Sequence, residues 1–150
     1  MSIRGFNHVS VTCADLDRSL TFYVGVLGLV LRGRGETGAG HLAQIIGMSG
    51  VRVRWAELEV GNGQPVIELF QYLTPTGEPL IQRTWDPGSV HFAIEVHDIA
   101  ALYDRLGGAG IVTRSAPVQI ADGDWRGVKS LYAVDPDGVT VELLELPVAR

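Results

Sequence analysis

Four side chains have the types and placement to do cation chemistry: His8, Glu68, His91 and Glu142. Each histidine opens a segment in which apolar and polar residues alternate, the mark of a strand with one packed face. In His8-Val-Ser-Val-Thr12, Val9 and Val11 take one face and His8, Ser10 and Thr12 the other. In His91-Phe-Ala-Ile-Glu95, Phe92 and Ile94 take one face and His91, Ala93 and Glu95 the other. The glutamates interrupt apolar runs, Val66-Ile-Glu68-Leu-Phe70 and Val139-Thr-Val-Glu142-Leu-Leu144. A carboxylate there must shift its pKa, find a partner or bind a cation, because burying it unpaired is costly. The economical arrangement gathers the two His–Glu pairs around one divalent metal ion. Two imidazoles and two carboxylates suit Ni, Co, Zn, Fe or Mn, and the carboxylates cancel the charge of the dication. A six-coordinate ion would keep two positions for water or substrate oxygens. It would polarise a carbonyl or enediolate, as proton abstraction next to a carbonyl requires.

The elements that must position these residues occur twice. His8-Val-Ser-Val-Thr-Cys-Ala-Asp15-Leu16 aligns without a gap on His91-Phe-Ala-Ile-Glu-Val-His-Asp98-Ile99, each an alternating strand running into an aspartate. Asp15 and Asp98 have the side chain to cap a helix start. Leu16, Leu20, Tyr23 and Leu27 then recur at helical spacing, as do Ile99, Leu102 and Leu106. Gly28 and Gly110 are placed to end these helices in the left-handed conformation. Extended segments follow at 51–60 and 66–73, and again at 127–134 and 139–146. The turns between them are Gly61-Asn-Gly-Gln64 and Asp135-Pro-Asp-Gly138. The expected organisation is a single α+β domain over 1–150: strand, helix and three strands over about 5–73, a Pro- and Gly-rich linker over 74–89, and the same again over 90–146. Residues 33–49 and 114–124 read as long loops, where lids over a binding face tend to sit. A single His or Glu in a strand is an ordinary core or rim residue, but four at repeat-related positions mark a site. His41 and His97 have no such setting, Asp135 and Asp137 read as turn formers, and Cys13 reads as a small buried hydrophobe.

Composition bounds the function. The chain has 150 residues, 46% of them hydrophobic and 19% charged, which suits one globular domain rather than a disordered chain. A net charge of −5 and no basic stripe argue against nucleic acid as a partner. No apolar run approaches the roughly 20 residues that span a bilayer, and the first residues lack a signal core, so the expected location is the cytoplasm, with no membrane partner. One cysteine excludes an intrachain disulfide framework.

Together, His8-Val-Ser-Val, Asp15-Leu-Asp-Arg-Ser-Leu-Thr-Phe-Tyr23 with Val26-Leu-Gly28, Val90-His-Phe-Ala-Ile94 and Asp135-Pro-Asp-Gly-Val-Thr-Val-Glu142-Leu resemble the vicinal oxygen chelate superfamily. This group includes glyoxalase I, methylmalonyl-CoA epimerase, extradiol dioxygenases, fosfomycin-modifying enzymes and bleomycin-resistance proteins. The resemblance spans about residues 5–146 and implies two βαβββ modules forming an eight-stranded open cup, in a homodimer. It implies one divalent metal ion per site, held by His8, Glu68, His91 and Glu142. A carboxylate at position 68 resembles glyoxalase I more than the ring-cleaving dioxygenases, which use two histidines and the final glutamate for Fe(II). Short glyoxalase I-like enzymes hold glutathione with an arginine four residues after the first histidine and an asparagine four residues after the first glutamate. Here those positions are Thr12 and Tyr72, which speaks against a glutathione substrate.

If Gly61 faces Gln64 across the first turn, Glu57 faces Glu68, Trp55 faces Phe70 and Val53 faces Tyr72. Trp55, Phe70 and Tyr72 would then line a pocket for a flat or apolar small molecule, with Glu57 as an acid or base nearby. The same reasoning around Asp135 and Gly138 turns Leu131 and Lys129 inward beside Glu142. Trp85 and Trp125 would close the pocket or serve a dimer contact. The leading expectation is a metal-dependent lyase or isomerase that moves a proton next to a metal-chelated carbonyl, with Glu142 as first choice of base and Glu68 returning the proton. Two alternatives compete with it: an Fe(II)-dependent dioxygenase, and a non-enzymatic protein that sequesters an aromatic small molecule.

Overall fold

The computed structural model describes residues 2–38, 40–61, 63 and 66–147, and the chain divides into two compact units between Pro79 and Leu80. Asn62 and Gln64 of the first expected turn lie outside the described residues.

In the first unit, strand β1 (His8–Thr12) leads into helix α1 (Leu16–Leu20). After it come β2 (Val30–Thr37), α2 (Gly40–Ile46), β3 (Arg52–Glu59) and β4 (Val66–Thr74). The sheet order is β1-β4-β3-β2, with β1 parallel to β4 and the other pairs antiparallel. The second unit repeats the scheme with β5 (His91–Glu95), α3 (Ile99–Gly108), β6 (Val118–Gln119), β7 (Lys129–Val134) and β8 (Thr140–Glu145), in the order β5-β8-β7-β6. Each unit is thus a βαβββ module with a mixed four-stranded sheet. None of the described helices is long and apolar enough to cross a membrane.

Alternation assigns the faces as expected. Val11, Ile67, Leu69, Ala56 and Leu58 are buried in the first unit, on the face where Leu16, Phe22 and Tyr23 also lose their exposure. Their counterparts Ile94, Val141, Leu143, Leu131 and Ala133 are buried in the second, with Ile99, Leu102 and Leu106 of α3. Burial of such side chains, at roughly 1.5–3 kcal/mol each, is the main source of stability in each sheet.

Asp15 and Asp98 cap the helices, accepting from Arg18 N at 3.0 Å and Ala101 N at 2.9 Å. The Arg18 amide, more than any other group, holds the Asp15 carboxyl below its ordinary range. Gly28 and Gly110 have φ of 83° and 71°, the left-handed turn that ends each helix. The first helix is not α-helical throughout. From Thr21 to Val26 it widens into a π turn, with Leu27 N donating to Phe22 O, so burial falls on Leu16, Ser19, Phe22 and Tyr23 rather than on a regular stripe. Phe22 and Tyr23 meet edge to face with centroids 4.8 Å apart.

The long loops expected over 33–49 and 114–124 are partly ordered elements. Strand β2 continues to Thr37 despite Gly33 and Gly35, and α2 follows it; β6 is a two-residue strand against β7. Glycines ordinarily weaken a strand, but here they make room for an indole, as described below.

The repeat extends to a network that the sequence alone did not reveal. In the second unit Glu145 Oε2 accepts from Ile99 N, the first amide of α3, at 2.8 Å, while Glu145 Oε1 accepts from Lys129 Nζ at 2.6 Å. At the equivalent place in the first unit, Gln71 Oε1 accepts from Leu16 N at 3.2 Å and from Arg54 at 3.1 Å. The last strand of each module therefore secures the start of its helix through a side chain three residues after the site glutamate. Lys129, then the Ile99 amide, holds the Glu145 carboxyl below its ordinary range. A carboxylate with a depressed pKa contributes stability that is complete above its unfolded pKa and is lost as pH falls through the folded one. Glu145→Gln should accordingly melt below the parent at pH 7. The gap should close as both proteins are taken down through the carboxylate range in a thermal melt series; a gap that stays constant with pH would show that the charge is not involved.

Candidate functional site

Each unit brings together one histidine and one glutamate. His8 Nε2 lies 3.4 Å from Glu68 Oε2, and His91 Nε2 lies 3.4 Å from Glu142 Oε2. The topology explains the match. The strand that carries each histidine runs parallel to the one that carries its glutamate, with Ser10 opposite Glu68 and Ala93 opposite Glu142, so each imidazole sits one step along the same face.

The first pair is set up from both sides. Asn7 Oδ1, an acceptor, lies 2.7 Å from His8 Nδ1; in a neutral ring the tautomer that donates to it turns the Nε2 lone pair toward Glu68. A lone pair facing a carboxylate oxygen is unfavourable unless a cation comes between them. The spacing fits that requirement: charge-assisted N–H···O⁻ bonds run at about 2.7–2.9 Å, shorter than the 3.4 Å observed in both units. Two donors each about 2.1 Å from a single ion stand about 3.0–3.4 Å apart, depending on coordination geometry. Among the described residues no three His, Cys, Asp or Glu side chains are grouped to hold an ion. The donor chemistry of each pair, an imidazole and a carboxylate, is nevertheless of the kind that a divalent ion takes.

Around the first pair the register is the expected one: Glu57 opposes Glu68, Trp55 opposes Phe70 and Val53 opposes Tyr72, with Thr12 beside Phe70 on β1. Trp55 lies against β2, where a Cβ at Gly35 would come within 3.2 Å of the indole nitrogen and one at Gly33 within 3.6 Å of the ring. The two glycines are thus a seat for the ring. Glu57 is not a free acid or base. Arg32 reaches it at 3.5 Å while bonding Glu59 at 2.9 Å, and these carboxylates, Glu59 foremost, raise the guanidinium pKa above its ordinary value.

Around the second pair the expected register is off by one. Tyr132, not Leu131, opposes Glu142, while Leu131 opposes Leu143 and is buried on the helix side. Lys129 likewise faces Glu145 rather than Glu142. The cause is the turn. Asp135 pairs with Val139 instead of Gly138, leaving a three-residue loop closed by Gly138 at φ 92°, while Asp135 Oδ1 accepts from the amides of Asp137 and Val139. One extra loop residue reverses the face of every side chain on the partner strand.

The shift places two hydroxyls beside Glu142. Ser130 Oγ donates to Glu142 Oε1 at 2.8 Å, and Tyr132 Oη lies 3.5 Å from His91 Nε2 with the rings 5.2 Å apart. Burial, and after it the charge of Glu142, pushes the Tyr132 hydroxyl above its ordinary range, so it remains a neutral O–H at physiological pH. Trp85 and Trp125 are exposed within their unit; the Arg83 guanidinium lies over the Trp85 ring at 5.7 Å.

The sequence pattern of the glyoxalase/bleomycin resistance protein/dioxygenase superfamily matches residues 5–143. A 2-epi-5-epi-valiolone epimerase from Actinomyces is 31% identical over 147 residues, covering 94% of this chain and 79% of the relative. A glyoxalase family protein from Bacillus cereus superposes with a TM-score of 0.86 at 23% identity, covering 98% of this chain and 97% of the other. A glyoxalase I variant from Zea mays gives a TM-score of 0.67 at 23% identity, with 91% of this chain on 43% of that one. With the paired βαβββ modules and their matched His–Glu pairs, these likenesses place the chain in the glyoxalase/bleomycin resistance protein/dioxygenase superfamily.

Proposed function

We propose that this protein is a metal-dependent isomerase, an epimerase that inverts a stereocentre next to a carbonyl on a small molecule. The observation that carries the reading is the recurrence of one His–Glu geometry, Nε2 to Oε2 at 3.4 Å, at equivalent places in both units. The epimerase relative supports the isomerase side of the reading over the lyase side. Thr12 and Tyr72, in place of an arginine and an asparagine, support a substrate other than a glutathione adduct.

The proposed ligands are His8, Glu68, His91 and Glu142. A divalent ion bound there withdraws electron density from the substrate carbonyl and so acidifies the neighbouring C–H. The side chains do the rest. One of the two glutamates takes the proton, the C–H electron pair passing toward the carbonyl oxygen; the second glutamate, protonated from solvent, delivers a proton to the other face of that carbon and re-forms the C–H bond with inverted configuration, and the first then releases its proton to solvent. The balance is a proton out and a proton in, with no redox partner. His8 directs Nδ1 to Asn7, which leaves Nε2 as its donor atom toward the ion. Trp55, Phe70 and Tyr72 supply apolar surface for the carbon skeleton, which the Gly33 and Gly35 seat keeps in a fixed plane.

Protein purified without chelators should carry about one equivalent of Ni, Co, Zn, Mn or Fe per chain by elemental analysis. His8→Ala and His91→Ala should each lose it. Less than about 0.2 equivalents in the parent, with none taken up on adding these ions, would remove the metal reading and favour a binder that uses the aromatic surface.

A further inference from the structure

The two glutamates of the proposed ligand set are held unequally. Glu142 has one oxygen committed: Oε1 accepts from Ser130 Oγ at 2.8 Å, leaving Oε2 toward His91. Ser130 lies two residues before Tyr132, the cross-strand partner of Glu142, so strand alternation puts its hydroxyl on the site face. The first unit has no hydroxyl at the equivalent place. Counting back in the same way from Glu57, the cross-strand partner of Glu68, gives Trp55, whose ring is seated over Gly33 and Gly35. Glu68 meets His8 at 3.4 Å, and its cross-strand neighbour Glu57 is a like charge that is already engaged by Arg32. Turning the Glu142 carboxylate would break a hydrogen bond, whereas turning Glu68 would break no comparable one among the described residues.

We infer that Ser130 is a positioning residue that holds the Glu142 carboxylate, through its Oε1, in place beside His91 as a metal ligand. This rests on the metal-dependent reading above. Hydrogen-bond partners of metal ligands typically contribute about 10–100-fold to metal affinity, which sets the expected scale.

The test is Co(II) binding to the metal-free full chain, measured by competition with a chelating indicator and by the visible absorption of the bound ion. Ser130→Ala should weaken Co(II) about tenfold and alter the absorption, and Ser130→Thr, which keeps the hydroxyl, should restore both. The double variant Ser130→Ala/Glu142→Gln should bind no more weakly than Glu142→Gln alone, because the hydroxyl acts through that carboxylate. Glu68→Gln should retain more affinity than Glu142→Gln. Parent-like affinity and absorption in Ser130→Ala, additive losses in the double variant, or the opposite ranking of the two glutamines would each overturn the inference while leaving the metal reading in place. A parent chain that takes up no Co(II), Ni(II) or Zn(II) would overturn both.

Discussion

Glu142→Gln is expected to fold like the parent while losing metal and turnover together, the metal affinity by about 100-fold or more and the turnover by about 10³-fold or more. Glutamine keeps the shape and still offers an oxygen to Ser130, whose hydroxyl lies 2.8 Å from Oε1, so the strand pairing between β7 and β8 has no reason to change. What disappears is the negative charge beside His91 Nε2. Without it a dication in the proposed ligand set would keep one carboxylate instead of two, and its charge would no longer be balanced. Glu68→Gln should differ in degree, with turnover lost and metal partly retained, because among the described residues no hydroxyl holds Glu68 as Ser130 holds Glu142.

The two variants are distinguished by measuring both properties on each. Metal affinity is read by chelator competition, and turnover by deuterium incorporation from D₂O next to the carbonyl of a test compound on which the parent shows exchange. A Glu142→Gln protein with parent-like affinity and parent-like exchange would remove Glu142 from the site altogether.

How much of this was legible in the sequence depended on what each feature rests on. The four candidate ligands and the helix caps Asp15 and Asp98 follow from alternation and residue chemistry, both local properties, and the structure pairs His8 with Glu68 and His91 with Glu142. The β3–β4 register was legible from the spacing of the two strands, and Glu57 opposes Glu68 as that spacing implies. The β7–β8 register was not, because Asp-Pro-Asp-Gly fits a two-residue or a three-residue loop, and the decision lies in Asp135 Oδ1 accepting two amides. That single residue separates a site with Leu131 in it from one with Ser130 and Tyr132. The π turn at Thr21 to Val26 was hidden because spacing of three and four does not register an inserted residue. Gly33 and Gly35 read as loop because their reason for being glycine, the Trp55 ring, is 20 and more residues away. Gln71 and Glu145 were invisible for a similar reason: an uncharged amide and a carboxylate perform the same capping role, so the repeat does not show in residue type.

The remaining large effect concerns the packing that holds the site in register. Leu143 is fully buried on β8, immediately after Glu142, opposite Leu131 on β7 and beside Ile94 on β5. Leu69 holds the same place after Glu68 in the first unit. Leu143→Ala should destabilise the protein by about 3 kcal/mol, within the roughly 2–5 kcal/mol that such truncations remove through lost burial and the cavity left behind. For a chain of this length that corresponds to a drop of about 6–12 °C in melting temperature. Yet at 20 °C, where the protein stays folded, metal affinity should change only a few-fold. Alternation puts Leu143 on the helix side and Glu142 on the other, and Glu142 takes its position from the β7 ladder and from Ser130 rather than from the core. Thermal melts and chelator competition on the same preparation check both halves. A loss of metal affinity as large as that of Glu142→Gln in folded Leu143→Ala protein would mean that the core, and not the hydroxyl on β7, sets the position of the carboxylate.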